Sequence, residues 1–177
     1  MEEKRIVLAG FGGQGLLFAG KVIAYAGLIE DREVSWLPSY GPEMRGGTAN
    51  CSVTVSEEPI GSPLVMDPNV LIAMNQPSLL KFEETVTPGG IILVDTSLVS
   101  RIPERDDVTI CALEATNMAE EAGLKGLANI VLVGKLFAEQ PFCSQETIEK
   151  AIFKAVPARK AALREKNLEA LHLGMEA

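Results

Sequence analysis

Arg5-Ile6-Val7-Leu8-Ala9-Gly10-Phe11-Gly12-Gly13-Gln14-Gly15-Leu16 is the stretch on which the reading of this chain turns. Residues 5–9 form a short continuous apolar run, as expected of a strand covered on both faces. Residues 16–28 repeat apolar side chains at helical spacing, with Leu16, Ala19, Val22, Ile23 and Ala26 on one face. Between them lies Gly10-x-Gly12-x-x-Gly15. Glycines between a strand and a helix let the backbone turn tightly and come close to a phosphate, which the free N–H groups of the helix start receive. The same glycines also serve plain helix–strand packing, and both readings stand at this point.

Working outward, strand and helix patterns alternate. Further strands are expected over 33–37, 48–55, 70–74, 91–94 and 108–113. The 48–55 segment alternates apolar with polar residues, so it is expected to be half-exposed and antiparallel or at a sheet edge. Pro77 opens a helix over 78–86, and helices follow over 115–123, 127–139, 144–156 and 158–171, with Ser144 as an N-cap. This alternation predicts a single α/β domain over 1–177: a mostly parallel, Rossmann-like sheet with helices on both faces and a helical C-terminal segment. Ligands of such sheets bind at the carboxyl ends of the strands.

Bulk properties remove several classes. The net charge of −8 argues against a nucleic-acid binder, which needs a basic stripe. No apolar run is long enough to span a bilayer and the first residues enter a strand at once, so no membrane association and a cytoplasmic location are expected. The three cysteines, Cys51, Cys111 and Cys143, have neither zinc nor iron–sulfur spacing. Cys51 and Cys111 sit in apolar runs and read as core residues. The one histidine, His172, reads as a solvated helix residue, and no nucleophile elbow offers a serine for it.

The glycine fingerprint first suggests NAD or FAD. A ribose-binding acid should then close the second strand, but that strand ends Trp36-Leu37-Pro38-Ser39 and the acids Glu30, Asp31 and Glu33 precede it. A free-standing dinucleotide-dependent dehydrogenase therefore starts poorly. Lys21, on the first helix, meets a phosphate or is solvated.

A second loop carries more polar chemistry: Tyr40-Gly41-Pro42-Glu43-Met44-Arg45-Gly46-Gly47-Thr48-Ala49-Asn50. It follows the second strand and runs into the third. If the first two strands are parallel and adjacent, the two loops meet over one rim of the sheet. Arg45 offers a planar fork for a phosphate, and Gly46 and Gly47 let the backbone come close. Glu43 holds Arg45, contacts a partner, or forms an internal ion pair that shapes the loop. Asn75-Gln76-Pro77 ends another strand, where the amides meet a ligand or Asn75 caps the next helix.

Taken together, Gly10-Phe11-Gly12-Gly13-Gln14-Gly15, the long run from Trp36 to Cys51, and Asn75-Gln76-Pro77-Ser78 resemble the gamma subunit of 2-oxoacid:ferredoxin oxidoreductases, of the 2-oxoglutarate or 2-ketoisovalerate type; Ala128-Asn129 also fits. The resemblance implies a subunit, inactive alone, of a complex that oxidatively decarboxylates a 2-oxoacid to an acyl-coenzyme A and passes electrons to ferredoxin. It implies alpha, beta and delta partners that hold thiamine diphosphate, magnesium and [4Fe-4S] clusters, with none held by this chain. It places coenzyme A, as substrate, at Gly10, Gly12, Gly13, Gln14, Gly15, Tyr40, Glu43, Arg45, Gly46, Gly47, Asn50, Asn75 and Gln76, with no catalytic and no metal-ligating residue. A purely structural assembly subunit is the other reading. Isolated, such a chain is expected to expose apolar surface and to dimerise or aggregate, with the C-terminal half and the 48–55 strand as the candidate surfaces.

Overall fold

A computed structural model describes residues 3–39 and 48–177. One six-stranded sheet organises them. Its strands are β1 (Lys4–Phe11), β2 (Glu33–Ser39), β3 (Thr48–Ser56), β4 (Val70–Ala73), β5 (Ile91–Asp95) and β6 (Thr109–Leu113), in the order β2-β3-β1-β4-β5-β6. The pairs β1–β4, β4–β5 and β5–β6 are parallel. The pairs β1–β3 and β2–β3 are antiparallel. The sheet is thus parallel through its centre and one flank, with an antiparallel flank of two strands.

Two open points are decided here. The first two strands are not adjacent: β3 lies between them, because the chain returns antiparallel along β1 before crossing to β4. Of the two alternatives for β3, antiparallel or at an edge, it is antiparallel. It is hydrogen-bonded on both sides, and β2 is the edge of this flank. The alternation in β3 has another cause. Ala49, Cys51, Val53 and Val55 are buried against the helical layer, and Asn50 and Ser52 stand half-exposed on the other side, where no helix covers this flank.

The helices are α1 (Leu16–Ile29), α2 (Gln76–Phe82), α3 (Ala115–Glu121), α4 (Ala128–Glu139), α5 (Gln145–Ala155) and α6 (Ala161–Met175), with 3-10 turns at Glu83–Thr85 and Ala158–Lys160. Both faces of the sheet are covered, but unequally. Alternation along β1 sends Ile6 and Leu8 into a large core built with α1, α3, α4, α5 and α6. Val7 and Ala9 point into a small one, closed by Leu79 of α2 with Val86 and Val99. Asn75 caps α2 by accepting from the N–H of Ser78 at 2.8 Å. Ser144 caps α5 in the same way, accepting from the N–H of Thr147 at 3.1 Å.

α1 lies close on the antiparallel flank. A Cβ on Gly20 would sit 2.6 Å from Cys51 Sγ, so the absence of a side chain there sets the helix–sheet distance. Cys51 donates its thiol to the Leu16 carbonyl at 3.4 Å, and burial pushes its pKa up to about 12. α6 docks on α4 through Gly134 and Gly174, where any Cβ would strike the backbone carbonyl of the facing helix. His172 is paired rather than simply solvated. Its Nε2 lies 2.8 Å from Glu149 Oε1, tying α6 to α5, and that bond holds the Glu149 carboxyl below the usual range.

Candidate functional site: the glycine loop and its two clefts

The carboxyl ends of β1, β4 and β5 share one rim, and the glycine loop 12–15 rises from it into α1. Gly13 and Gly15 have φ of 92° and 76°, the left-handed region that a side chain disfavours. Gly15 is the N-cap of α1, and no side chain caps the helix. Among the described residues, the N–H groups of Gly12, Gly13, Gly15, Leu16, Leu17 and Phe18 have no hydrogen-bond partner. Six free donors lie along the loop and the first turn of α1, at the positive end of the helix dipole, an arrangement suited to an anion.

Two amides hold this loop from either side. Gln14 Oε1 accepts from the N–H of Phe11 at 2.5 Å, and Gln14 Nε2 donates to the carbonyl of Met74, just past β4, at 2.9 Å. Gly10 is side-chain-free beneath it because a Cβ there would meet Gln14 Oε1 and come within 3.0 Å of Met74 Cβ. From the other side Asn129, in the first turn of α4 and only 3% exposed, donates through Nδ2 to the Gly15 carbonyl at 2.9 Å. A Cβ on Gly15 would stand 2.6 Å from that amide nitrogen.

The loop is the ridge between two open clefts, and Gly13 lines both. One cleft, of about 220 Å³, is bounded by Gln14, Met74, Leu98, Ala119, Lys125 and Ala128. The other, of about 310 Å³, is bounded by Phe11, Gly12, Leu17, Phe18 and Ala49.

The structure thus brings Gly10, Gly12, Gly13, Gln14 and Gly15 together. Asn75 and Gln76 lie at the same rim with their oxygens engaged. Asn75 caps α2, and Gln76 Oε1 accepts from the N–H of Arg101 at 3.0 Å and from Ser100 Oγ at 3.3 Å. Asn50 lies on the opposite side of the sheet from α1, in a shallow cleft with Leu37, Ser39 and Leu64. Tyr40, Glu43, Arg45, Gly46 and Gly47 lie outside the described residues. The loop that carries them leaves from Ser39, paired with Asn50, and returns at Thr48, paired with Phe11, so both of its ends are at the glycine-loop rim. Lys21 lies beside Tyr25, 5.3 Å from the ring centroid.

Sequence reasoning gave Lys125 and Asp95 no site role and named Asn129 only as part of the resemblance. Asn129 is a polar residue at the head of the otherwise apolar run Ala128-Asn129-Ile130-Val131-Leu132-Val133, and that is its signal. Asp95, fully buried at the end of β5, accepts from Thr116 Oγ1 at 2.5 Å and from the N–H groups of Ser97 and Thr116, anchoring α3 to the rim. Among the described residues no group of His, Cys, Asp and Glu is placed to hold a metal ion, and no helix is long and apolar enough to cross a membrane.

An α/β sheet with a glycine loop at its carboxyl rim is the arrangement in which nucleotide-type folds hold their ligands. Comparison with known proteins makes this specific. The family description "Pyruvate ferredoxin/flavodoxin oxidoreductase" matches residues 5–177, and the chain belongs to that family, among its gamma-type chains. It is 41% identical over 178 residues to the 2-oxoglutarate synthase subunit KorC of Methanocaldococcus jannaschii, covering 98% of this chain and 93% of that one. It is likewise 41% identical over 175 residues to the ketoisovalerate oxidoreductase subunit VorA of Methanothermobacter thermautotrophicus, but spans only 36% of that longer chain. The solved gamma subunit of a keto/oxoacid ferredoxin oxidoreductase from Geobacter sulfurreducens superposes with a TM-score of 0.83 at 32% identity, over 98% of this chain and 96% of the other. The 2-oxoglutarate:ferredoxin oxidoreductase from Magnetococcus marinus, with 2-oxoglutarate, coenzyme A and succinyl-CoA bound, shares the fold. Its TM-score is 0.86 at 23% identity, over 99% of this chain and 31% of that one.

Proposed function

We propose that the chain serves a heteromeric 2-oxoacid:ferredoxin oxidoreductase, for 2-oxoglutarate or a branched-chain 2-oxoacid, by binding coenzyme A at the glycine loop and by holding the complex together. The observation that carries this is the run of six free N–H groups over 12–18, braced by Gln14 and Asn129, on a protein whose own net charge is −8. A chain so acidic attracts a polyanion through a local array of donors rather than through its overall field. A diphosphate fits that array. The coenzyme A held by the Magnetococcus protein of the same fold supports the choice of ligand. Arg45, in the sequence between Ser39 and Thr48, is the side chain proposed to join it, with Glu43 to hold Arg45 or contact a partner and Gly46 and Gly47 to give access.

Alpha, beta and delta chains supply thiamine diphosphate, magnesium and [4Fe-4S] clusters in this reading, ferredoxin takes the electrons, and the complex works in the cytoplasm. The test is Gly12→Val in the reconstituted complex. A side chain there crowds the donors, so the KM for coenzyme A should rise at least tenfold while the partners' decarboxylation of the 2-oxoacid persists. An unchanged KM in a correctly assembled complex refutes the assignment.

A further inference from the structure

We infer that the side of the chain formed by α1, the end of α5 and the start of α6 is the surface on which an acidic face of a partner subunit docks. This names the surface by which the chain holds the complex together, and it rests on that part of the reading above.

The observation is a local reversal of charge. Between residues 150 and 166 stand Lys150, Lys154, Arg159, Lys160, Arg164 and Lys166 against one acid, Glu165, a net charge of +5 on a chain of −8, so the remaining residues carry −13. The stretch covers the end of α5, the 3-10 turn at Ala158–Lys160 and the start of α6, and residues 157–163 are exposed without interruption. Among the described residues Lys150 pairs with Glu146, while Lys154, Arg159, Lys160, Arg164 and Lys166 have no carboxylate partner. Aromatic rings and carbonyls hold two of them instead. Lys154 Nζ lies 5.0 Å from the centroid of Tyr25, as Lys21 Nζ does at 5.3 Å. The Arg164 guanidinium lies 5.3 Å from the centroid of Phe153 and donates to the carbonyls of Val156 at 3.0 Å and Phe153 at 2.9 Å. Such contacts fix a cation in place and leave its charge uncancelled. A free surface intersperses both signs, whereas this ridge stays self-repelling until an anionic surface covers it.

Beside Lys21 and Tyr25, a groove of about 270 Å³ runs between α1 and the edge strand β2, lined by Ala24, Leu28, Val34 and Trp36. Leu28 is 48% exposed there. An apolar seat next to a charged ridge matches the apolar centre and polar rim of a protein interface, and it fits an acidic protein face from which one apolar side chain projects. An extended polyanion, a duplex or an anionic bilayer, would also meet the −13 of the other residues, whereas a compact acidic face covers the ridge alone.

The test presents this chain to the alpha–beta assembly prepared without it and reads the affinity by interferometry at about 50 and about 500 mM salt, either side of physiological screening. Wild-type binding should weaken as salt rises. The pair Arg159→Glu with Lys160→Glu alters exposed side chains that make no ion pair or hydrogen bond, so the fold is kept. It should weaken binding by roughly tenfold or more at low salt and flatten the salt dependence, and Lys154→Glu should add to the loss. Leu28→Ser should weaken binding by a similar factor at both salts. The pair Lys81→Glu with Lys125→Glu makes the same change in net charge at exposed positions away from the ridge, and it should have a far smaller effect.

Equal losses from the two pairs would reduce the ridge to a general field and overturn the inference. A silent ridge pair overturns it as well, and the assembly reading stands if the wild-type chain still binds. Loss of binding to duplex DNA or phosphatidylserine vesicles in the ridge pair, with assembly untouched, would assign the ridge to a polyanion and likewise overturn it. If the wild-type chain does not bind the alpha–beta assembly, both readings fall.

Discussion

Gln14 uses both ends of its amide on the loop it belongs to, which separates its contribution to shape from any contribution to binding. Leucine in its place keeps the bulk but strands the N–H of Phe11 and the carbonyl of Met74. One exposed and one part-buried neutral hydrogen bond are worth about 1–2 kcal/mol together, so Gln14→Leu should lower the melting temperature by a few degrees. Glutamate keeps the acceptor for Phe11 but loses the donor to Met74 and sets a negative charge beside the free N–H groups. Gln14→Glu should therefore raise the KM for coenzyme A more than Gln14→Leu does, and more than its own thermal shift accounts for. Equal KM values for the two variants would show that no anion sits on the loop. Asn129 acts on the same loop through one bond, and its Oδ1 is buried without a partner.

The seat of α1 on the antiparallel flank is decided by Gly20 facing Cys51. Gly20→Ala places a methyl 2.6 Å from Sγ and 3.2 Å from Val53 Cγ2, so overpacking should cost about 1–3 kcal/mol. Cys51→Ala removes the sulfur and should recover most of that loss in the double variant. Chemical denaturation of the two singles and the double measures the coupling, and simple additivity would mean that the helix moves instead of pressing on the sulfur.

The same flank shows where sequence reading stopped. The glycine turn, the buried strands β4 and β5 and the caps Asn75 and Ser144 were legible because each is written in neighbouring residues. Strand order was not. The polar side chains Asn50 and Ser52 looked like the signature of an edge, yet they mark a missing layer of helix over an interior strand. The exposed edge, β2, reads as the more apolar of the two, with Trp36 39% exposed on it. Two ends of helices also moved for local reasons. The turn after α2 tightens into a 3-10 turn at Glu83–Thr85, and α6 continues to Met175 because Gly174 docks it on α4. The resemblance named Asn129, but its bond to the glycine loop was illegible because its partner, Gly15, lies 114 residues away.

Across the whole molecule, one core cluster runs from Ile6 and Leu8 in β1 to Ala170 and Leu171 in α6. All three cysteines sit in it: Cys51 in β3, Cys111 in β6 and Cys143 ahead of α5. If residues 1–177 form one cooperative unit, as the sequence predicts, reaction of the buried cysteines should follow opening of the whole core. Burial pushes the Cys51 and Cys143 thiols up to about 12 and raises that of Cys111. At pH 8 a thiol near 12 is ionised about a thousandfold less than one at its ordinary value, so native labelling by a thiolate-selective reagent should be very slow even where the reagent gains access. Raising denaturant should bring all three cysteines into reaction over a single transition, coincident with the loss of helical circular dichroism. Mass spectrometry of the labelled peptides reads each site separately. Cys111 and Cys143 reacting at lower denaturant than Cys51 would show that the helical C-terminal half opens on its own, and the single-domain description would fail. Simultaneous labelling would tie the seat of Asn129 in α4, and through it the geometry of the glycine loop, to the stability of the whole chain.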